Sequence, residues 1–431
     1  MTSAATSWLI VFLSIALMFL KNNARFKLLL ADKLQSSLAK LNKHIPLSTD
    51  FKLGQSAYFR KSEGLLDVFN ALEQLQEYGA RAQTQNAVVY HRSKALHQEQ
   101  IEQLRLLNYY DKLERINEAI DGNQIITRAI VENALSKLVK NNRLESDQGK
   151  EVKTICNSLG YTCHSDRPLE KIPAHRMALN PVSNQARVNE AISHLCRDWH
   201  QDYALERKPL SEFAISRMRH QRFKGKTLVV VPGSGVGGLA YEVASAFPEF
   251  GVHSIELSTL MYLCNEFALN YDGEVPLRPF LQHFSGQLSV EQQTRSFQID
   301  LSTLKKPPNL KVHLGNFCNF KVPTFYDQIV VLSAFFIDTA ENLFDYFEAT
   351  ESLKASTSEL HWINIGPLKY GTRPKIQLTD QELTKLREVR KWKDLYHSCD
   401  PKELSGYLTN EQSLYQGYYG LVKFHSVYTG E

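Results

Sequence analysis

The sequence has few cysteines, six in 431 residues, and they are scattered. Cys156, Cys163, Cys196, Cys264, Cys318 and Cys399 contain one C-x6-C spacing and no C-x2-C pair. That pattern excludes a disulfide framework and gives no zinc or other metal-ligand set, so the cysteines are expected as reduced thiols in a cytosolic compartment. An excess of one charge is also lacking. Fifty Lys and Arg against 46 Asp and Glu leave a formal net charge of +4, which does not mark a nucleic-acid binder by bulk electrostatics. No nucleic-acid partner is expected, and a small or weakly charged substrate fits better. There is no N-x-[ST] acceptor, as suits a chain that never meets the lumen, and no internal repeat. What the chain does have is apolar content, 43% hydrophobic and 10% aromatic, enough for one large domain or two ordinary ones with real cores.

Long hydrophobic runs are nearly absent, with one exception. Trp8 to Leu20 is uninterrupted by charge and reaches about 17 residues if Ala4 to Ser7 join it, a borderline span. No Lys or Arg precedes it, whereas Lys21, Arg25 and Lys27 follow. The positive-inside bias therefore keeps the downstream chain cytosolic. Residues 1–22 are expected to be a membrane anchor. A cleaved signal peptide and a peripheral hydrophobic helix are the alternatives, and the last would leave the protein cytosolic.

From about residue 50 to 145 the chain is rich in Leu, Gln, Glu and Ala with apolar residues three and four apart, as at Leu65, Val68, Phe69 and Leu72, which predicts antiparallel helices. A second such pattern runs Leu104, Leu107, Tyr110, Leu113, Ile116, Ile120 to Asp121-Gly122. Gly122 is read there as a C-cap before a further helix near Gln124. Residues 141–182 read as a connector. After Arg187 short β-branched runs alternate with helical stretches, which predicts an α/β unit with a mostly parallel sheet covered on both faces. The candidate strands are 227–231, 251–256, 311–314, 328–333 and 361–365, and late runs around Tyr418 to Val427 suggest an antiparallel edge.

The strand Thr227 to Val231 runs into Pro232-Gly-Ser-Gly-Val-Gly-Gly-Leu239 and then into a helix. Glycines at 233, 235 and 237 remove Cβ where a backbone must bend and approach a ligand, and the helix start offers N–H donors. A strand ending at Glu256, about 20 residues on, places a carboxylate for the two hydroxyls of an adenosine ribose. Gly233, Gly235 and Gly238 equally satisfy G-x-G-x-x-G, so this corner alone suits a methyl donor or a dinucleotide, and a purely structural turn is the bland reading.

Three ordered blocks go further: Val231-Pro-Gly-Ser-Gly-Val-Gly-Gly-Leu-Ala-Tyr-Glu242, Phe335-Phe-Ile-Asp-Thr-Ala-Glu-Asn342 and Trp362-Ile-Asn-Ile-Gly-Pro-Leu-Lys-Tyr370. Together with Cys196-Arg-Asp-Trp199 and Leu113 to Val131, they resemble carnosine N-methyltransferases over most of the chain after about residue 55. The resemblance implies a Rossmann-like S-adenosylmethionine-dependent methyltransferase domain over residues 185–431, with S-adenosylmethionine as cofactor. It implies cofactor contacts at Arg197, Gly233, Gly235, Gly237, Glu256, Phe317 and, where the residue differs from the family's, at His194 (Gln in the family), Asn316 (Asp) and Ala334 (Cys). Asn316 can still bond an adenine amino group through its carbonyl oxygen.

For the acceptor, the resemblance implies an imidazole dipeptide such as carnosine, bound by Asp338, with a tyrosine of the pair Tyr418 and Tyr419 lining the pocket; Tyr370 is a further substrate-binding candidate. The family's histidine after the tyrosine of the Gly-Pro-Leu block is Gly371 here. Methylating an imidazole needs a neutral ring lone pair and removal of one proton, and Asp338 is the residue expected to act. Its bland alternative is a helix N-cap, because Asp338-Thr-Ala-Glu341 has a capping-box spacing. Asn364 is a further candidate. Three functions remain open: an N-methyltransferase for carnosine or a related dipeptide, one for another small amine or a peptide or protein histidine, and a non-catalytic membrane scaffold. A homodimer is left open, and the basic stretch Arg217 to Lys224 reads as a solvated loop.

Overall fold

The computed structural model describes residues 58–59 and 65–430, apart from 174, 176, 178, 180–183 and 372. The expected anchor at residues 1–22 lies outside them. Among the described residues no helix is long and apolar enough to cross a membrane.

Seven strands form the central sheet: β1 (Thr227–Pro232), β2 (Gly251–Glu256), β3 (Leu310–Leu314), β4 (Tyr326–Ala334), β5 (Thr357–Gly366), β6 (Trp392–Gly406) and β7 (Tyr418–Tyr428). Their spatial order is β6-β7-β5-β4-β1-β2-β3. Neighbours from β3 to β5 pair in parallel. β7 then runs antiparallel to both β5 and β6. The expected mostly parallel sheet with an antiparallel edge is therefore present. The antiparallel pair, however, is not two runs within 418–427: that stretch is a single strand, and its outer partner is β6. The β6 sequence alternates buried Trp392 with polar positions and carries two register shifts, which weakens its period-two signal.

Every residue of β1 is buried, as a central parallel strand covered on both faces requires. On one face α7 (Ala204–Gln221) and α8 (Gly238–Ala246) pack through Ala214, Met218, Ala240, Val243 and Ala244 onto Val229, Val231 and Val330. On the other, α10 (Leu343–Ser352) and α11 (Asp380–Val389) cover Leu228, Val230 and Trp362.

The N-terminal helices are α1 (Leu65–Gln76), α2 (Tyr78–Ser93), α3 (Gln98–Leu106) and α4 (Tyr109–Asn141). Leu72, Ile116, Ile130 and Leu135 share one continuous core with Leu195 of α6 (Gln185–Trp199), with Leu263 and Phe267 of α9 (Thr259–Ala268), and with the hairpin 274–277/297–300. Two local expectations change. Gly122 does not cap a helix but lies inside α4, where a Cβ would run into the Arg278 guanidinium. Its role is close approach, fixed by Asn123, which exchanges hydrogen bonds with the backbone of Arg278 at 2.8 and 2.9 Å. The stretch read as a connector holds α5 (Asp147–Ser158), which starts on a Ser146 cap accepting the Gly149 N–H. Its buried face is Val152, Ile155 and Cys156.

Candidate active site

The site forms at the carboxyl ends of β1, β2, β3, β4 and β5, where an open parallel sheet leaves a crevice. β1 delivers the glycine loop. Gly233, Gly235 and Gly237 all take the left-handed backbone, at φ of 60°, 58° and 92°, which costs a residue with Cβ about 1–2 kcal/mol. A Cβ at Gly233 would also strike the Phe336 ring and one at Gly237 would strike Asn265, whereas one at Gly235 would meet nothing within 4 Å. Gly235 therefore faces open space. Gly238 has negative φ and begins α8, and its N–H donates to the buried Asp198 carboxylate at 3.0 Å.

β2 ends on Glu256, which is 8% exposed. One of its carboxylate oxygens accepts the Gly235 N–H at 2.8 Å and the other the Ser258 N–H at 2.7 Å. Burial raises its pKa, against the lowering effect of these N–H bonds. Glu256 thus ties the glycine loop to the start of α9. At the end of β3 the Gly315 N–H donates to the Glu256 carbonyl at 2.9 Å. Next to it Asn316 caps a short turn by accepting the Cys318 N–H, and Phe317 meets Phe336 edge-on. Glu256, Asn316, Phe317, Gly233, Gly235, His194 and Phe335 line one cleft of about 790 Å³. An adjoining pocket of about 80 Å³ shares His194, Gly233, Gly235, Phe335 and Tyr407 with it and adds Arg197, Asp198 and Ala334.

α6 supplies the other wall. Arg197 contacts Asp198 at 3.3 Å and Glu206 at 3.2 Å, and its guanidinium lies 4.7 Å from the centre of the Tyr407 ring. Its Nη2 is buried and has no hydrogen-bond partner among the described residues. A buried donor of this kind is costly unless an acceptor arrives. His194 bonds the Tyr407 hydroxyl at 3.2 Å, and burial pushes the imidazole pKa down to about 3, so the ring is neutral.

The sequence alone did not single out Tyr407, Phe335, Asp198 or Glu206. Tyr407 stacks on Phe335 at 4.6 Å. Glu206 accepts the Leu408 and Thr409 N–H groups, which hold that loop over the crevice. Phe335 sits at φ 50°, an uncommon conformation for an aromatic residue and a mark of local strain. Its N–H donates to Ile365, and Gly366 is the residue that leaves room for it. The phenylalanine pair before Asp338 and the glycine of the Gly-Pro-Leu block were the signals for this contact.

Asp338 lies in a one-turn 3-10 helix (Ile337–Thr339), is 5% exposed, and caps no helix. Its Oδ2 accepts the Lys369 N–H at 3.0 Å. Burial raises its pKa to about 6 despite that bond. Tyr419 accepts a hydrogen bond from Lys369 Nζ at 2.8 Å and meets Phe335 edge-on. Tyr370 gives its hydroxyl to the Leu378 carbonyl at 3.0 Å. Tyr418 points elsewhere: it lines a separate cavity with Glu403, Leu404 and Leu421 and bonds Gln416. Asn364 is fully buried between Ser333 and the Val422 carbonyl and is therefore a core residue. Among the described residues there is no group of three or more His, Cys, Asp or Glu that could hold a metal ion.

A family model for carnosine N-methyltransferase matches residues 174–430. The chain belongs to the carnosine N-methyltransferase family. It is a methyltransferase that uses S-adenosylmethionine. An uncharacterized protein of Saccharomyces cerevisiae is 41% identical over 404 residues, covering 91% of this chain and 85% of that one. The carnosine N-methyltransferase of Mus musculus is 25% identical over 329 residues, covering 72% and 74%. That of Drosophila melanogaster is 27% identical over 281 residues, and the match takes in 62% of this chain and 59% of that one. The residues around the crevice fit the cofactor: Gly235 leaves open space, Glu256 offers further lone pairs, and Arg197 holds an unpartnered buried donor.

Proposed function

We propose that the chain methylates an imidazole nitrogen of carnosine or a closely related histidine dipeptide, with Asp338 as the proton acceptor. The observation that supports this reading most is the state of Asp338. It is a buried carboxylate at the carboxyl end of β4, joined to the Gly-Pro-Leu block by one backbone N–H and not used as a cap. S-adenosylmethionine supplies an electrophilic methyl group when bound. Glu256 would hold its ribose hydroxyls, Arg197 its carboxylate, and Asn316 and Phe317 its adenine, with Gly233, Gly235 and Gly237 letting the backbone approach and His194 and Ala334 flanking it.

For the acceptor, Asp338 takes the ring N–H, which leaves the opposite nitrogen as a neutral lone pair, and receives that proton as the methyl group is transferred. A carboxylate with a pKa of about 6 is matched to a proton leaving an imidazolium near neutral pH. Tyr419, Phe335 and Tyr407 provide the aromatic wall, and the Tyr370 hydroxyl braces the loop after β5. Gly371 favours a second reading, since it removes the family's histidine: the acceptor could be another small amine or a peptide or protein histidine. The test is transfer of label from S-adenosylmethionine to a panel of carnosine, related dipeptides and histidine peptides. Label on the imidazole of the dipeptides supports the first reading, label on peptides alone the second, and cofactor binding without any transfer a scaffold. The run from Trp8 to Leu20 is proposed as an uncleaved anchor with the catalytic unit in the cytosol. Protection of that unit from protease inside intact microsomes would refute the orientation.

A further inference from the structure

Lys369 is the residue of the Gly-Pro-Leu block whose chemistry the proposed reaction does not use. Its backbone N–H is the donor on the Asp338 carboxylate, 3.0 Å away. Its side chain turns back over the aromatic wall, where Nζ donates to the Tyr419 hydroxyl at 2.8 Å and lies 5.1 Å from the centre of that ring. The hydrogen bond to Tyr419 raises the ammonium's pKa, so it stays charged. Among the described residues no carboxylate lies within 4 Å of it. Two residues on, Gly371 contributes no side chain, and a Cβ there would meet nothing within 4 Å. The result is an ammonium with no carboxylate in direct contact among the described residues, on the residue whose backbone N–H holds the expected proton acceptor, with open space two residues on.

We propose that the Lys369 ammonium binds the carboxylate of the methyl acceptor, so that the preferred acceptor is an imidazole with a free carboxylate and not its amide or a residue within a longer chain. The proposal rests on the imidazole reading above and narrows it. In a C-terminal histidine the carboxylate carbon hangs from the ring by a two-carbon link, so a ring held at Asp338 brings its carboxylate within the reach of the lysine whose backbone N–H is bonded to that carboxyl group. The ammonium has a second consequence. A positive charge beside the acceptor disfavours imidazolium and so favours the neutral ring that attacks.

The test uses the purified chain saturated with S-adenosylhomocysteine, and calorimetric titration with carnosine and with its C-terminal carboxamide. Wild type should bind carnosine about three- to fivefold more tightly than the carboxamide, the upper range of an ion pair with an exposed ammonium. Lys369→Gln should abolish that preference without changing the melting temperature, and Lys369→Arg should keep most of it. In turnover with S-adenosylmethionine, Lys369→Gln should raise KM for carnosine by the same factor and change kcat by less than about threefold. A Gln variant that keeps the preference, or a wild type that binds both ligands equally, overturns the assignment of Lys369. Equal methylation of carboxylate and carboxamide overturns it too, while leaving the imidazole reaction standing. If wild type discriminates the carboxylate in binding but transfers no methyl group, the carboxylate site stands and the proposed reaction falls. Binding of neither ligand overturns both.

Discussion

The cofactor side and the acceptor side of the crevice are built differently. On the cofactor side most of the polar geometry is backbone: the Gly235, Ser258 and Gly238 N–H groups fix Glu256 and Asp198, and the positions belong to β1, β2 and the helices packed on them. Around the expected acceptor residues the turn after β4, the loop after β5 and β7 meet mainly through side chains: the Lys369 N–H bonds the Asp338 carboxylate, the Lys369 ammonium bonds the Tyr419 hydroxyl, and the Tyr370 hydroxyl bonds the Leu378 carbonyl. A backbone cradle tolerates side-chain change, so the cleft is expected to keep its shape with Asn316, His194 and Ala334 where the resemblance implies Asp, Gln and Cys. A loop can change without disturbing the sheet, and Gly371, where a Cβ would meet nothing within 4 Å, is the position at which acceptor choice is expected to differ.

The largest effect is expected on the acceptor side. Asp338→Asn keeps an acceptor for the Lys369 N–H but cannot take a proton. Turnover should fall by about 10²- to 10⁴-fold while S-adenosylmethionine affinity, read by calorimetry, stays within about twofold. Normal turnover would make Asp338 a structural residue and remove the contrast. The same variant should be more heat-resistant at high pH. Because the folded-state pKa is raised from 3.8 to about 6, the stabilising contribution of this group is complete below about pH 4 and is lost as pH rises through 6. Replacement by Asn avoids that loss, worth up to about 3 kcal/mol at pH 8. Melting curves of the two proteins should converge near pH 4 and separate by pH 8. The wild-type rate should rise through pH 6 as the carboxyl ionises.

On the cofactor side, Glu256→Ala removes the expected ribose acceptor and leaves two N–H groups without theirs. Affinity for S-adenosylmethionine should drop about ten- to hundredfold, equivalent to about 1.5–3 kcal/mol, and the melting temperature should drop with it. An unchanged dissociation constant would show that the carboxylate only staples the loop. Gly235→Ala separates ligand from fold. Its Cβ meets no protein atom, so the fold should lose only the left-handed penalty of about 1–2 kcal/mol, while cofactor binding weakens several-fold. Gly237→Ala, which strikes Asn265, should instead cost stability first. The smallest effect is a gain. Gly371→His enters open space, and it should lower KM for carnosine by a few-fold if the missing ring is what separates this chain from its relatives. No change in KM would mean that acceptor choice lies elsewhere in the loop.

The sequence by itself determined the class of fold and the place of the glycine corner, because both are written locally: short β-branched runs alternating with helical stretches, glycines at 233, 235 and 237, and an acid at the end of the next strand. It also marked out the two blocks that meet at Asp338, since each is a contiguous motif. The tertiary structure decided what requires distant segments to meet. Tyr407 reaches His194 across 213 residues of chain, Glu206 holds the loop at 408–409, and Asn364 turns into the core and not into the crevice. Of two adjacent tyrosines, only Tyr419 meets Lys369 and Phe335, because neighbouring residues of a strand face opposite ways and no local pattern says which face a late strand will present. Gly122 carried the same ambiguity, since a glycine can end a helix or admit a neighbour, and only the approach of Arg278, 156 residues later, decides between them.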